Sequence, residues 1–161
     1  MKSLLYLICY FFLLTSISVA QGLNLSDLSK LAEMSVNDGE TFLTNKKFEF
    51  SQILKDNENW IDYAFGLNLN EYGNGEEYLV LSFDQNGNKR MVWYQLSKQG
   101  WQKLKDSLNS LGYKKIKTEA EPDGSLSTEY ENTKFTLIFT SGASKENFGV
   151  FTYTLTVLKR D

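Results

Sequence analysis

The sequence predicts an α+β domain built twice over. A helix followed by four antiparallel strands occurs, then occurs again, giving one antiparallel sheet of about eight strands with the helices on one face. Three observations carry this. Apolar residues recur at helical spacing in two separate places, 25–32 and 101–111. Each is followed by short runs in which apolar and polar residues alternate. Those runs are separated by turn chemistry such as Asn74-Gly75, Asn86-Gly87 and Pro122-Asp123-Gly124.

The first helix falls within 24–45. Asn24 or Ser26 caps it, and Leu25, Leu28, Leu31 and Ala32 form its stripe. "SVNDGE" at 35–40 predicts a break, because Asn, Asp and Gly disfavour helix interiors. Strands are expected at 48–53, then through "NWIDYAFGLNLNEY", where Ile61, Tyr63, Phe65, Leu67 and Leu69 share one face, then at 78–84 and 91–96.

Ser97 caps the second helix, whose stripe is Trp101, Leu104, Leu108 and Leu111, and Gly112 stops it. Strands follow at 113–118, 127–132 and 135–140. The loop "SGASKEN" leads to the last, at 149–158. The pseudo-repeats run over about 24–96 and 97–161. "FLTNKKFEF" overlays "LNSLGYKKI", and "EYLVLSFD" overlays "KFTLIFTS".

"DQNGN" at 84–88 raises the question of a calcium loop. Gly87 is only the fourth residue from Asp84, Lys89 and Arg90 stand where anionic ligands belong, and no Glu closes the loop. Asn86-Gly87 is hairpin chemistry.

The N-terminus reads as an export signal: Lys2, an apolar stretch at 4–14, and small residues at Ser18-Val19-Ala20. Cleavage is expected after Ala20, leaving residues 21–161 as a single periplasmic or extracellular domain. The apolar stretch is too short to span a bilayer comfortably, and no second apolar segment approaches the length of a transmembrane helix, so no stable membrane insertion is expected after cleavage. Cys9, the only cysteine, precedes the cleavage point and does not suit lipidation. Lys2 leaves with the leader, so 17 cations become 16 against 20 anions. That acidic balance gives no footing for nucleic acid.

The chain has no His, and the exported part has no Cys. Ser-His-Asp and Cys-His catalysis, thiol chemistry and ordinary zinc or copper sites are excluded. No cofactor and no metal is expected. Carboxylate chemistry on glycans remains as an alternative, with Asp62, Glu76, Glu77 and Glu129 as the acids, provided they converge at roughly 5–10 Å. A small apolar ligand between sheet and helices is a further alternative.

The helix-plus-four-strand order, twice over in a small exported chain, resembles the repeat architecture of secreted β-lactamase inhibitor proteins. Ser82–Asn88, "SFDQNGN", is also similar to a hairpin of PepSY-like domains of exported bacterial proteins. The disulfides of the inhibitor family are absent here. The resemblance therefore implies a mode of action, an exposed sheet and its loops gripping another exported or envelope protein, and not a β-lactamase target.

Strand alternation predicts which residues face away from the helices. Val92, Tyr94, Leu96, Phe135, Leu137, Phe139, Phe151, Tyr153, Leu155 and Val157 are expected beneath the helices. Met91 and Trp93, beside Tyr78 and Val80, are expected on the open face. These four are the candidate partner-binding residues, because exposed aromatics bury much area at low entropic cost. Exposed edge strands are a second route to association, between two copies.

Overall fold

The computed structural model describes residues 22–56, 60–84, 90–143 and 151–160. The expected leader (1–20), the hairpin turn expected at Asn86-Gly87 and residues 144–150 lie outside them.

The expected fold class is the observed one. Helices α1 (Leu25–Leu31) and α2 (Val36–Asn45) precede strands β1 (Phe48–Asp56), β2 (Trp60–Leu67), β3 (Glu77–Asp84) and β4 (Arg90–Leu96). Helix α3 (Lys98–Asp106) and a short 3-10 turn (Asn109–Leu111) precede β5 (Lys114–Ala120), β6 (Leu126–Glu131), β7 (Phe135–Ala143) and β8 (Phe151–Lys159). The sheet has eight antiparallel strands in the order β1-β2-β3-β4-β8-β7-β6-β5. Each half is a meander, and the two meanders meet through their last strands. Each first strand is left at an outer edge.

Capping explains the helix starts. The Asn24 side chain accepts the Asp27 N–H, and the Asp27 carboxylate accepts the Asn24 N–H, a reciprocal capping box. Ser35 caps α2 and Ser97 caps α3 in the ordinary way, through Asp38 N–H and Gly100 N–H. Asp27 also meets Lys46 Nζ at 3.0 Å, joining the start of α1 to the end of α2.

The helix break differs from expectation. It falls at 32–35, so it meets "SVNDGE" only at its first residue, Ser35. Ser35 is the N-cap there, Asp38 lies in the first turn with its carboxylate accepting the Ser35 hydroxyl, and Gly39 is inside α2. Gly39 is used for proximity: a Cβ there would lie 3.0 Å from Leu81 Cδ1. The helix thus lies close upon the sheet.

Among the described residues the three α-helices lie on one face. Their buried residues, Leu28, Leu31, Leu43, Trp101 and Leu104, join Leu79, Leu81, Val92, Tyr94, Leu137, Phe139, Leu155 and Val157 in one core. Trp101 meets Phe139 and Tyr153 edge-on and donates Nε1–H to the Thr154 carbonyl at 3.0 Å.

Several details depart from the simple pattern. Leu111 is exposed, because the α-helix has ended and the chain has tightened into a 3-10 turn before left-handed Gly112. Phe151, expected in the core, is 62% exposed, since it lies at the start of β8, two residues before the Tyr153 ring that meets Trp101. β7 extends through Ala143, so Ser141-Gly142-Ala143 is strand and not loop.

Leu69 is not part of the β2 alternation. The strand ends at Leu67 and Asn68 adopts positive φ (54°), so the chain turns. Leu69 folds back onto Gly66, where a Cβ would lie 2.2 Å from Leu69 Cδ2.

Candidate binding face

The face opposite the helices is set by register. Val80 lies across from Ala64 on one side and Trp93 on the other. Trp93 lies across from Thr156, Thr156 from Ile138, and Ile138 from Glu129. Glu129 pairs with Lys117. One row of side chains therefore crosses the sheet: Ala64, Val80, Trp93, Thr156, Ile138, Glu129, Lys117.

A second row is Asp62, Ser82, Met91, Leu158, Thr136 and Glu131. A third is Gly66, Tyr78, Gln95, Thr154, Thr140 and Ser127. Among the described residues no helix packs on this face. Val80, Met91, Trp93, Ile138 and Leu158 are half-buried.

All four residues picked from the sequence stand here. Val80 and Trp93 are directly paired, and Met91 is the next outward residue of β4. Tyr78 has a different task. Its hydroxyl accepts the Gly75 N–H at 2.6 Å and donates to the Gly73 carbonyl at 3.2 Å. It ties down the loop between β2 and β3. The Asn70 side chain braces the same loop by accepting the N–H groups of Tyr72 and Asn74.

Ile138, Leu158 and Thr156 complete the apolar centre and were not singled out as binding residues from the sequence. Alternation shows that Ile138 faces outward. It does not show that β8 lies beside β4, which is what brings the second meander to Trp93.

The charge distribution follows the strands. On this face β4, β8 and β7 present Met91, Trp93, Gln95, Thr152, Thr154, Thr156, Leu158, Thr136, Ile138 and Thr140, with no ionisable group. Charge resumes outward. Lys117 meets Glu119 at 2.9 Å and Glu129 at 3.6 Å, and Arg160 Nη1 meets Glu131 at 2.8 Å. Asp62 stands on the opposite flank.

The four acids considered for glycan chemistry do not converge. Asp62 and Glu129 share this face but are five strand spacings apart, about 24 Å. Glu77 points to the helix side, where Tyr94 donates to it. Glu76 is in the loop before β3. Among the described residues no group of three or more His, Cys, Asp or Glu side chains is placed to hold a metal ion.

Comparison with protein-family models, with curated proteins and with solved structures finds no match for this chain.

Proposed function

We propose that the protein is an exported, non-catalytic binding module that grips another protein through the open sheet face and its loops. The observation that supports this reading is the arrangement just described. An uncharged centre of aromatic, aliphatic and hydroxyl side chains, Trp93 with Val80, Met91, Ile138, Leu158 and the threonines, is bordered by charged flanks. Protein interfaces share this organisation: a core depleted of charge, enriched in aromatics and Met, within a polar rim. The leader expected at 1–20 puts such a partner in the envelope or outside the cell.

The test is a capture experiment on secreted and envelope fractions of the producing cells. The immobilised protein is compared with Trp93→Asp, with Ile138→Asp and with Phe151→Asp, which alters the helix side. Circular dichroism and a thermal midpoint establish that each variant is folded. The reading expects one defined protein retained by the parent and by Phe151→Asp, and lost by both open-face variants. A protein retained by all four, or lost only with Phe151→Asp, overturns the face assignment.

A further inference from the structure

β5 is exposed along its whole length. All seven of its residues, Lys114–Ala120, are exposed, so neither face of the strand is covered. It is also an outer edge, with one side of its backbone ladder facing solvent. The other edge, β1, is interrupted at two places in its register. β5 has one irregularity, between Lys115 and Lys117, and runs regularly from Lys117 to Ala120.

The charges of this edge are sorted along the chain. Lys114, Lys115 and Lys117 come first; Glu119 and Glu121 come last. An antiparallel partner with the same sequence places each end against its opposite. Two residues facing each other in an antiparallel pair lie on the same side of the sheet, so the twofold axis must pass through a residue. An axis at Lys117 sets that cation against itself, and an axis at Glu119 sets two carboxylates against each other. An axis at Thr118 sets Lys117 against Glu119 of the second copy, twice over, and two threonines at the centre. It also brings Ile116, 54% exposed, against Ala120 of the second copy.

We propose that β5 is a homotypic edge, at which two copies pair antiparallel about an axis through Thr118, joining two eight-stranded sheets into one continuous sheet. Because the axis is perpendicular to the sheet, both open faces point the same way. The pairing stands on the edge alone and is independent of what the open face binds.

Single cysteines test the register, in a chain carrying Cys9→Ser so that the introduced thiol is the only one. Directly opposed residues have Cα atoms about 4.5–5.5 Å apart, within disulfide range. Diagonal neighbours are about 7–8 Å apart, beyond it. Thr118→Cys is therefore expected to give a covalent dimer under mild oxidation, and Lys117→Cys and Glu119→Cys are not. Equal crosslinking at all three positions, or none at Thr118→Cys, overturns the proposal.

Charge exchange gives a second readout that needs no oxidation. Glu119→Lys and Lys117→Glu should each lose the dimer in sedimentation, since like charges then face each other. Mixing the two variants should restore it as a heterodimer, with both pairs complementary again. Variants that dimerise alone as well as the parent, or a mixture that stays monomeric, would place any association elsewhere.

Discussion

The Tyr94 hydroxyl donates to the Glu77 carboxylate on the helix side of the sheet, and the same oxygen accepts the Leu23 N–H at 3.3 Å. Tyr94 is fully buried at the centre of β4, and Glu77 opens β3. One hydroxyl thus fastens the segment entering α1 to two strands. Gly22 passes so close that a Cβ would lie 2.9 Å from Glu77 Oε1 and 3.0 Å from the Tyr94 oxygen. Tyr94→Phe keeps the ring in the core but leaves the Glu77 carboxylate and the Leu23 N–H unpaired. It should lower the unfolding free energy by about 1–3 kcal/mol, measured by urea denaturation. An unchanged midpoint would show that the hydroxyl fastens nothing.

Glu77 gives the fold a pH dependence. Burial raises its pKa above the ordinary 4.5, the Tyr94 hydrogen bond works against that, and the nearby Glu76 charge adds to it. A raised carboxylate pKa means that, above about 4.5, the folded chain holds a proton the unfolded chain has lost. Stability contributed by this group is therefore present at acid pH and declines as pH rises from about 4.5 through the folded pKa. Glu77→Gln retains an acceptor for Tyr94 and removes the titration. The variant should match the parent near pH 4 and exceed it near pH 7, in denaturation curves taken across that range. A constant difference between the two at all pH values would exclude Glu77 as the source.

The physical reasons for what the sequence disclosed are uneven. Strand alternation separated Leu155 and Val157 from Thr154 and Thr156 because a pleated strand offers only two faces, and the helices cover one of them. The same argument placed Trp93 outward. It failed at Leu69, where positive φ at Asn68 ended the alternation, and at Phe151, since periodicity carries no information on how far a helix reaches along a strand. In "SVNDGE", residues that disfavour helix interiors predict a break, yet the same chemistry starts a helix when Ser35 takes the cap. The open face was half legible. Which residues point outward is a local property, whereas the adjacency of Trp93 and Thr156 depends on how two meanders join, and no short-range signal records that.

The Ser82 hydroxyl is buried on the open face and has no hydrogen-bond partner among the described residues. It lies between Asp62 and Met91 in the register, 1% exposed. A buried hydroxyl without a partner has lost its water and gained nothing in return. Ser82→Ala should therefore stabilise the protein by about 1 kcal/mol, read as a raised urea midpoint at unchanged slope. Destabilisation would mean that the hydroxyl has a partner in solution.

Gly142 is a packing requirement. Its φ is not left-handed, but a Cβ there would lie 2.4 Å from Ser125 Cβ and 2.9 Å from Ser125 Cα. Ser125 belongs to a turn held by Asp123, whose carboxylate accepts both its N–H and its hydroxyl. Backbone cannot yield as a long side chain does, so Gly142→Ala should cost about 1–3 kcal/mol by overpacking. Gly39→Ala is the contrast, since only the end of the Leu81 side chain must move and helix propensity favours alanine. A Gly142→Ala variant as stable as the parent would show that the turn at Ser125 shifts freely.

Trp93 and Trp101 should differ in access to solvent. Trp101 is 8% exposed, with its ring wedged between Phe139 and Tyr153 under α3, whereas Trp93 is half-buried on the face without helices. In a protein with Trp60 and Trp101 replaced by Phe, acrylamide should quench the remaining indole readily, and its emission should lie to the red. With Trp60 and Trp93 replaced instead, the indole at 101 should resist quenching. The comparison also bears on binding. A partner seated across Val80, Trp93 and Ile138 desolvates the Trp93 ring, so its addition should shift the emission of the first protein to the blue and reduce quenching while leaving the second unchanged. A Trp93 already shielded in the free protein would mean that something covers the open face before any partner arrives, and the proposed binding role would have to move to another surface.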